Sequence, residues 1–494
     1  MNQQLQNDNQ PVLLLSKLQS NKSKQLLWAL YLITTVLLGF EIFLAETDSL
    51  VTNFSAVIIT IFALLPSYLW CSGKALGMPI FPLLAITYVW TYALPLVTNH
   101  PKVSTYSPEE HLFAGITVAG FLGLGTLVWF SFVKSPPSIP KYYRTLNTYK
   151  GDKLFLSIFA ISVLFYISVN NGSTAILENT LTAVRAAIIG LTTLANFVLA
   201  YRLGAKKLSK IHSRLYLILL VLYMITNSVS LLLIGASTIF IVATAAFIIG
   251  RRKIPIIPIV IVIICLSFLH AGKAEMRTKY WSGDQPSYSQ PWEYPQLYAE
   301  WVQDSLEELQ RASSKNTAES SKEQSFLERS SVIQMLLLSQ TKSPNIIPYL
   351  SGKTYELIPQ LVIPRIFNSN KIRSHEGTAI LNVHYGLQKD IATTYLYTIG
   401  WGLLPEAYAN FGLLGCSGLA IVLGIICGKV CAWSINAPIL SAQSLFSVLF
   451  IGFALQTEWS AGVYVAALSQ SGPILGALVL ISMKKYQIPW VIRT

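Results

Sequence analysis

The chain has 494 residues, of which 53% are hydrophobic and only 12% are charged. Apolar runs of about 20 residues recur along it, which is the length a helix needs to cross about 30 Å of hydrocarbon. These properties exclude an ordinary soluble domain and predict an all-α polytopic membrane protein, because lipid offers the backbone no hydrogen-bond partners. The net charge of +13 does not indicate a nucleic-acid partner, since the basic residues lie between the apolar runs, as in cytoplasmic loops.

Twelve apolar segments are predicted to be transmembrane helices. In chain order they are residues 26–45, 51–71, 78–97, 111–133, 153–170, 182–202, 214–231, 233–250, 254–270, 412–430, 438–456 and 462–483. The first run is too long for a cleavable signal core and is expected to stay in the protein. The stretch 214–250 fits two crossings better than one, so a tight turn is expected near Ser228–Ser230.

The distribution of charge predicts that both termini are cytoplasmic. The segments then assigned to the inside hold most of the Lys and Arg residues, whereas the short outside loops hold only Lys102. This asymmetry is the usual mark of orientation in membrane proteins. The predicted organisation is a cytoplasmic tail (1–25), nine spans (26–270), one large extracytoplasmic loop (271–411), three spans (412–483) and a second cytoplasmic tail (484–494).

The large loop is predicted to be partly folded. Residues 271–390 carry 13 basic and 13 acidic residues, so this segment is not a polybasic tail. Residues 296–311 place Leu297, Trp301, Leu306 and Leu309 on one side of a predicted helix. Residues 313–325 contain almost no apolar side chain and are expected to form a linker, and residues 326–340 are expected to form a second helix.

A basic cluster in this loop is the main candidate site. Arg365, Lys371, Arg373 and His375 fall within eleven positions, on the side of the membrane where topology does not favour positive charge. Arginine presents a planar fork that binds phosphate oxygens in pairs, so the cluster favours a lipid-linked diphosphate as ligand. The alternative is an ordinary solvated loop, because long translocated loops tolerate charge freely.

Four further residues are candidates with open alternatives. Lys273 and Arg277 follow the ninth span and are either phosphate ligands or interfacial anchors beside aromatic residues. Arg185 lies about one turn inside the sixth span and either faces a wet cavity or extends to the interface. Glu406 either acts on a sugar hydroxyl or caps a helix N-terminus, where negative charge is favoured.

The sequence predicts neither a metal nor a cofactor. His375 and His384 are nine residues apart, which is not metal-ligand spacing on a helix, and no HExxH or Cys–His set accompanies them. There is no phosphate-binding glycine loop and no nucleophile elbow. The five cysteines fall in or beside apolar runs and are interpreted as small buried hydrophobes.

The layout and two motifs resemble a known family. About a dozen spans, one large external loop, "IPRIFNSNK" (363–371) in that loop and "PEAYANFGLLG" (405–415) before the next span resemble the bacterial O-antigen and exopolysaccharide repeat-unit polymerases, the Wzy-like family. The related O-antigen ligases share this architecture. The resemblance covers nearly the whole chain by layout and about thirty residues by motif.

The resemblance implies a metal-independent GT-C-type glycosyltransferase in the bacterial inner membrane. Its substrates would be undecaprenyl-diphosphate-linked oligosaccharides, and its partners a flippase and a chain-length regulator. Arg277, Arg365 and Arg373 would be the family's loop arginines, with Arg185 near the diphosphate and His375, Glu406 or Glu376 as the base. The alternatives are the ligase and, from another class, a transporter or flippase, although no internal repeat typical of transporters is evident.

Overall fold

The computed structural model describes residues 20–487. The positions outside the description are 48, 99, 136, 138–141, 146–147, 174–177, 232, 252, 282–288, 315–330, 364–367, 369–370, 397–398 and 439. The secondary structure of the described part is almost entirely helical, as the composition predicts. The chain divides into two compact units, residues 1–146 with 330–494 and residues 147–329.

The first unit begins with five helices and a strand. They are α1 Ser20–Phe43, α2 Leu50–Cys71, α3 Ile80–Tyr88, a π-helical turn Val89–Ala93, α4 Leu94–Val97, α5 Pro108–Val133 and β1 Tyr142–Thr145. The second unit holds α6 Thr148–Asn170, α7 Glu178–Gly204, α8 Lys210–Ser228, α9 Leu233–Arg251, α10 Ile256–Ala271, α11 Lys273–Trp281 and α12 Tyr294–Ser314. The chain then returns to the first unit with α13 Ile333–Lys342, α14 Ile358–Val362, α15 Glu376–His384, α16 Ile391–Leu396, α17 Leu403–Ser434, α18 Ala442–Ala454, α19 Ala461–Ser482 and β2 Lys484–Gln487.

Eight helices of the described chain are long and apolar enough to cross a membrane. They are Lys24–Phe43, Leu50–Cys71, Ile80–Val97, Pro108–Val133, Gly151–Asn170, Lys210–Ser228, Leu233–Arg251 and Leu403–Ser434, and α10 with α11 forms a pair bent by 51° that adds a ninth if it is one span. The predicted eleventh span corresponds to the 13-residue helix α18. The sequence-based count of twelve and the large external loop therefore stay predictions.

The turn predicted within 214–250 is confirmed. Helix α8 ends at Ser228 and α9 begins at Leu233. Between them Leu231 adopts a φ of 57°, a left-handed conformation that non-glycine residues rarely take. The apolar stretch is thus divided into two helices, where hydropathy alone shows one continuous run.

Small residues allow the principal helix pair of the first unit to approach closely. A side chain at Gly424 of α17 would lie 2.9 Å from the carbonyl oxygen of Gly125 in α5, and one at Gly428 would lie 2.6 Å from the ring of Phe132. Glycines at such contacts are typical of membrane helix pairs, because dispersion contacts rather than hydrophobic burial hold the helices together.

A broken helix anchors the segment that precedes α13. Pro95 has no N–H, so it cannot donate to the carbonyl of Thr91 four residues earlier. The Val332 N–H donates to that carbonyl instead, at 2.9 Å. Ile333, Leu336 and Leu337 follow it and are fully buried. The carbonyl that lacks a donor within its own helix is therefore hydrogen-bonded by a residue more than 200 positions later in the chain.

Segments that the charge pattern assigns to one side of the membrane lie together. Strand β1 pairs with β2 in an antiparallel register, and the Tyr143 hydroxyl donates to the Asn436 carbonyl at 2.9 Å. At the opposite side of the predicted topology, the Glu46 N–H donates to the Val97 carbonyl and the Gly402 N–H to that of Glu458. The contacts agree with the predicted grouping of loops, and the identity of the cytoplasmic side remains a prediction.

Polar contacts within the second unit join its helices. Arg202 Nη2 donates to Asp152 Oδ2 at 2.8 Å, and both residues are buried. The Tyr216 hydroxyl donates to the Asn196 side chain at 2.7 Å, while Asn196 donates to the Ile239 carbonyl. These bonds link α6, α7, α8 and α9, and pairing of this kind is what buried polar groups in an apolar bundle require.

Both helices predicted in the large loop are present, but one has different bounds and the other buries only part of its predicted apolar side. Helix α12 covers the predicted 296–311, and Leu297 and Trp301 are buried as expected. Leu306 and Leu309 are 47% and 48% exposed, so the prediction of a single apolar side is wrong for them; they lie roughly a third of a turn around the helix. The predicted helix 326–340 is observed as Ile333–Lys342, and the linker 313–325 lies almost wholly outside the described residues.

Candidate functional site

A break in α17 creates the framework of the candidate site. Gly412 has φ 60° and ψ −144°, so Leu403–Ser434 is two helices joined at a sharp bend. The carbonyls of Ala409 and Asn410 lose their helical partners there, and the N–H groups of Leu350 and Ser351 donate to them at 3.0 and 3.1 Å. The break thus docks residues 350–351 against the part of α17 that precedes Gly412, since buried backbone groups must find hydrogen-bond partners.

Glycine is required at the break for two reasons. Its φ and ψ fall in a region that is essentially restricted to glycine. A Cβ at position 412 would also lie 2.7 Å from the Tyr349 hydroxyl oxygen, closer than side-chain contacts allow. The bend in "ANFGLLG" is therefore set by one residue, and the sequence signals it only by a glycine that ends a short apolar helix.

Glu406 is fully buried in the first turn of α17. Its Oε2 accepts the N–H of Ala461 at 2.6 Å, and Ala461 is the first residue of α19. Of the two roles predicted for Glu406, the hydrogen bond corresponds to the capping role. The helix whose N-terminus is capped is α19, however, and not the helix that contains Glu406. The positive end of that helix dipole stabilises a carboxylate at this place.

The second oxygen of Glu406, Oε1, is also buried, and the Thr354 side chain interacts with this carboxyl group. A side chain at Gly377 would lie 3.9 Å from it and 3.5 Å from Thr354. Asn410 Nδ2 donates to Thr354 Oγ1 at 2.9 Å, and Asn410 Oδ1 accepts the Gly352 N–H. Glu406 thus occupies a buried polar cluster built from four separate stretches of chain.

Lys371 is buried and bonded to the backbone. Its Nζ donates to the Leu361 carbonyl at 2.6 Å, near the C-terminal end of the short helix α14. Positive charge is favoured at such helix ends. Lys371, which is predicted to bind phosphate, therefore forms a structural hydrogen bond that holds the segment preceding Arg373 and His375 next to α14.

Arg373 and His375 are exposed in the same loop. The Arg373 carbonyl accepts the Glu376 N–H at 3.2 Å, and His375 directly precedes α15 without a side-chain capping bond. The Ser374 carbonyl lies beside Gly462 of α19, so the loop passes over the N-terminal end of that helix. Arg365, the first arginine of the cluster, lies outside the described residues.

The protonation state of His375 follows from its surroundings. The residue is exposed as a whole, yet the surrounding protein removes enough solvent to lower the pKa of His375 below its ordinary 6.5, because burial disfavours the charged form. A neutral imidazole at pH 7 can accept a proton, which is the property that a general base needs.

The candidate residues of the second unit have their own environments. The guanidinium of Arg277 donates through Nη2 and Nε to the Leu231 carbonyl at 2.9 and 3.3 Å, in the strained turn between α8 and α9. Lys273 begins α11 and is half-buried. Arg185 lies in α7, but its side chain is outside the description. The structure thus gives Arg277 a turn-stabilising bond and leaves the predicted roles of Lys273 and Arg185 as predictions.

An apolar groove of about 390 Å³ lies beside the Glu406 cluster in the first unit. Its walls come from α3, α17, α18 and α19, and include Leu84, Leu423, Phe450, Val465 and Leu468. This volume is in the range of small-ligand sites, about 300–1,000 Å³. Aliphatic and aromatic side chains supply nearly all of its surface, so it suits a hydrocarbon.

One end of the groove meets the polar cluster. Ala461 and Tyr355 line the groove, and the Ala461 N–H is the group that donates to Glu406. Burial, and secondly the nearby Glu406 carboxylate, raise the pKa of the Tyr355 phenol above its ordinary value. Sequence reasoning missed Tyr355, Thr354, Asn410 and the groove, because their contacts join positions that are distant in the chain, 56 residues apart for Thr354 and Asn410, and no local pattern marks them.

Comparisons with known proteins supply no relative. No family model, curated protein or solved structure matches the chain. Within the described ranges, no group of three His, Cys, Asp or Glu side chains is placed to hold a metal ion. The observations define a helical protein with helices long and apolar enough to span a membrane, and an apolar groove beside a buried polar cluster that holds one carboxylate, Glu406.

Proposed function

We propose that the protein is a polysaccharide repeat-unit polymerase. In this role it transfers a growing glycan from undecaprenyl diphosphate onto another lipid-linked oligosaccharide at the outer face of the inner membrane. The observation that carries the proposal is the apolar groove that ends beside Glu406, Tyr355 and the N-terminal end of α19. A lipid-linked sugar needs this combination, since its tail is hydrocarbon and its reacting end is polar.

The proposed reaction assigns a task to each group. The acceptor hydroxyl oxygen attacks the anomeric carbon of the donor, the bond from that carbon to the diphosphate oxygen breaks, and the hydroxyl proton passes to His375. Arg373, together with Arg365, stabilises the negative charge that develops on the departing diphosphate. The donor carries its own leaving group, so the reaction balances without a nucleotide.

Glu406 has a positioning role in this proposal. It is completely buried, so it holds the first turn of α19 in place and does not touch the sugar. Lys371 acts in the same way on the loop that carries Arg373 and His375. Most of the acceleration would come from holding two lipid-linked substrates in register, because proximity and orientation can contribute about 7–11 kcal/mol.

The test is a chain-extension assay with purified protein in detergent. A polyprenyl-diphosphate oligosaccharide is supplied as the sole substrate, and the products are separated by length. We expect a ladder with the wild-type protein, and loss of the ladder with Arg373→Ala and with His375→Ala. Lys389→Ala is the matched control, because Lys389 is exposed in the same region and has no role in the proposed site.

Other outcomes separate the alternatives. Transfer of a preformed glycan to a different acceptor without lengthening indicates the ligase. Movement of the labelled lipid across a bilayer without new glycosidic bonds indicates a transporter. A full ladder from both variants would contradict the residue assignments, and the absence of any lengthening by the wild-type protein would contradict the proposed activity.

A further inference from the structure

We propose that α12 lies in the lipid headgroup layer and inserts a second apolar stripe, Val302, Leu306 and Leu309, into the membrane interface. These residues are spaced as i, i+4 and i+7, so they form one line along the helix. They are 40%, 47% and 48% exposed. The inference does not depend on the proposed enzymatic activity.

The position of α12 follows from its contacts with the ends of other helices. Trp301 Nε1 donates to the Leu269 carbonyl at 2.7 Å, and Ser305 Oγ accepts the Gly272 N–H at 3.2 Å. The Tyr298 hydroxyl donates to the Ile225 carbonyl at 2.8 Å. These bonds reach the last turns of α10 and α8, so α12 crosses the ends of the spans and does not run along them.

The buried side of α12 covers the same ends. Tyr294, Leu297 and Trp301 form one apolar cluster with residues of the α8–α9 turn and of α11: Val229, Leu231, Leu233 and Met276. A helix that covers the ends of three apolar helices lies at the level where those helices leave the hydrocarbon. The stripe 302–306–309 is then directed sideways at that level, roughly a third of a turn from the buried side.

The neighbouring helix α10 identifies lipid as the occupant. None of its 16 residues is buried, and five of its isoleucines, among them Ile257 and Ile264, are more than half exposed. Such a helix is stable only with hydrocarbon around it. Since α12 is hydrogen-bonded to the end of α10, its exposed stripe continues the lipid-facing surface.

The charges of α12 are segregated away from the stripe. Lys279 of α11 binds Glu300 and Asp304 at 3.1 and 2.8 Å, and Arg311 pairs with Glu307 and Glu308. An apolar stripe beside a charged face is the pattern of interfacial helices. Because this charged face is mainly acidic, apolar insertion and not attraction to anionic lipid must hold the helix in place.

The experiment compares two adjacent positions in nanodiscs of zwitterionic lipid. Leu306→Cys and Glu307→Cys are made in the full chain with the five native cysteines replaced by alanine, and each is labelled with a fluorophore. The two native residues are almost equally exposed, which makes them a matched pair. We expect headgroup-level nitroxide lipid to quench the label at 306 several-fold more than the label at 307, and a water-soluble quencher to show the reverse.

Equal quenching at both positions would overturn the proposal. So would protection of position 306 from both quenchers, since that result means that protein covers the stripe. Wild-type protein gives an independent answer without cysteine replacement, through photo-crosslinking to a lipid with a reactive group near its head. Adducts on Val302, Leu306 or Leu309 support the inference, whereas adducts on Glu300 or Glu307, or none on α12, contradict it.

Discussion

Glu406 illustrates how burial restricts the role of a single side chain. The sequence shows a carboxylate after a proline at the start of a helix, and it allows both a chemical and a capping role. The structure places the carboxylate at the N-terminus of α19, a helix that begins 55 residues later in the chain. No local pattern links positions 406 and 461, so the partner was not predictable, although the preference of helix N-termini for negative charge was.

A pair of substitutions separates the two roles of Glu406. Glu406→Gln keeps an oxygen that can accept the Ala461 N–H, whereas Glu406→Ala removes it and leaves this half-buried donor without its partner, at a cost of about 1–3 kcal/mol. We expect thermal unfolding in detergent to show the loss only for Glu406→Ala, and chain extension to persist in Glu406→Gln. Full stability with complete loss of extension in Glu406→Gln would mean that the carboxylate contacts substrate.

The lowered pKa of His375 predicts the pH dependence of the reaction. The neutral imidazole is the base, so kcat/KM should be constant near pH 7 and fall on acidification, with its midpoint below the ordinary 6.5. His375→Gln should lower the rate by about 10²–10⁴-fold and remove this acidic limb. His384→Gln is the control, because His384 bonds the Pro348 carbonyl. An unchanged acidic limb in His375→Gln would exclude His375 as the base.

At the scale of the element, the sequence predicts apolar helices well and their interruptions poorly. The turn after Ser228 was predictable because one apolar stretch was too long for a single crossing. The bend at Gly412 was not, although the predicted tenth span begins at this residue, since only the N–H groups of 350–351 that pair with the free carbonyls reveal the break. The sequence likewise predicts one apolar side for α12 where the structure has a buried side and an exposed stripe. Periodicity shows which positions are apolar, but it does not show which of them another part of the protein covers.

Two glycines of α17 provide a test of the bend. Gly412→Ala forces a side chain into a glycine-only conformation and toward Tyr349, so it should destabilise the protein by about 1–3 kcal/mol. Gly418 lies in the same helix with no atom within 4 Å of its would-be side chain. Gly418→Ala should leave the unfolding temperature unchanged or raise it. Equal effects of the two substitutions on thermal unfolding would show that α17 is not bent at Gly412.

At the scale of the whole molecule, the charge pattern and the observed contacts agree on the grouping of loops. The strand pair β1–β2 joins two segments predicted to be cytoplasmic. Composition therefore predicts the class of protein, and the charge pattern groups segments that the structure brings together. It does not give the groove, whose walls combine α3 with α17, α18 and α19 across nearly 400 residues of sequence.

The orientation is tested by labelling with a membrane-impermeant thiol reagent. Lys102 and Lys485 are both exposed and lie on opposite sides in the predicted topology. In intact inner-membrane vesicles of defined orientation, we expect Lys102→Cys to react only from the outer side and Lys485→Cys only from the cytoplasmic side. Reaction of both positions from the same side would contradict the assigned orientation.

The most direct test of the account fills the groove and measures chain extension. Leu468 lines the groove, so Leu468→Trp should block a hydrocarbon tail, while Leu414→Trp places the same side chain at a position that is 84% exposed. We predict that the purified Leu468→Trp protein remains folded and loses the ladder of lengthened lipid-linked glycans, whereas Leu414→Trp produces it as the wild type does. A complete ladder from a folded Leu468→Trp protein would contradict the claim that this groove holds the substrate lipid.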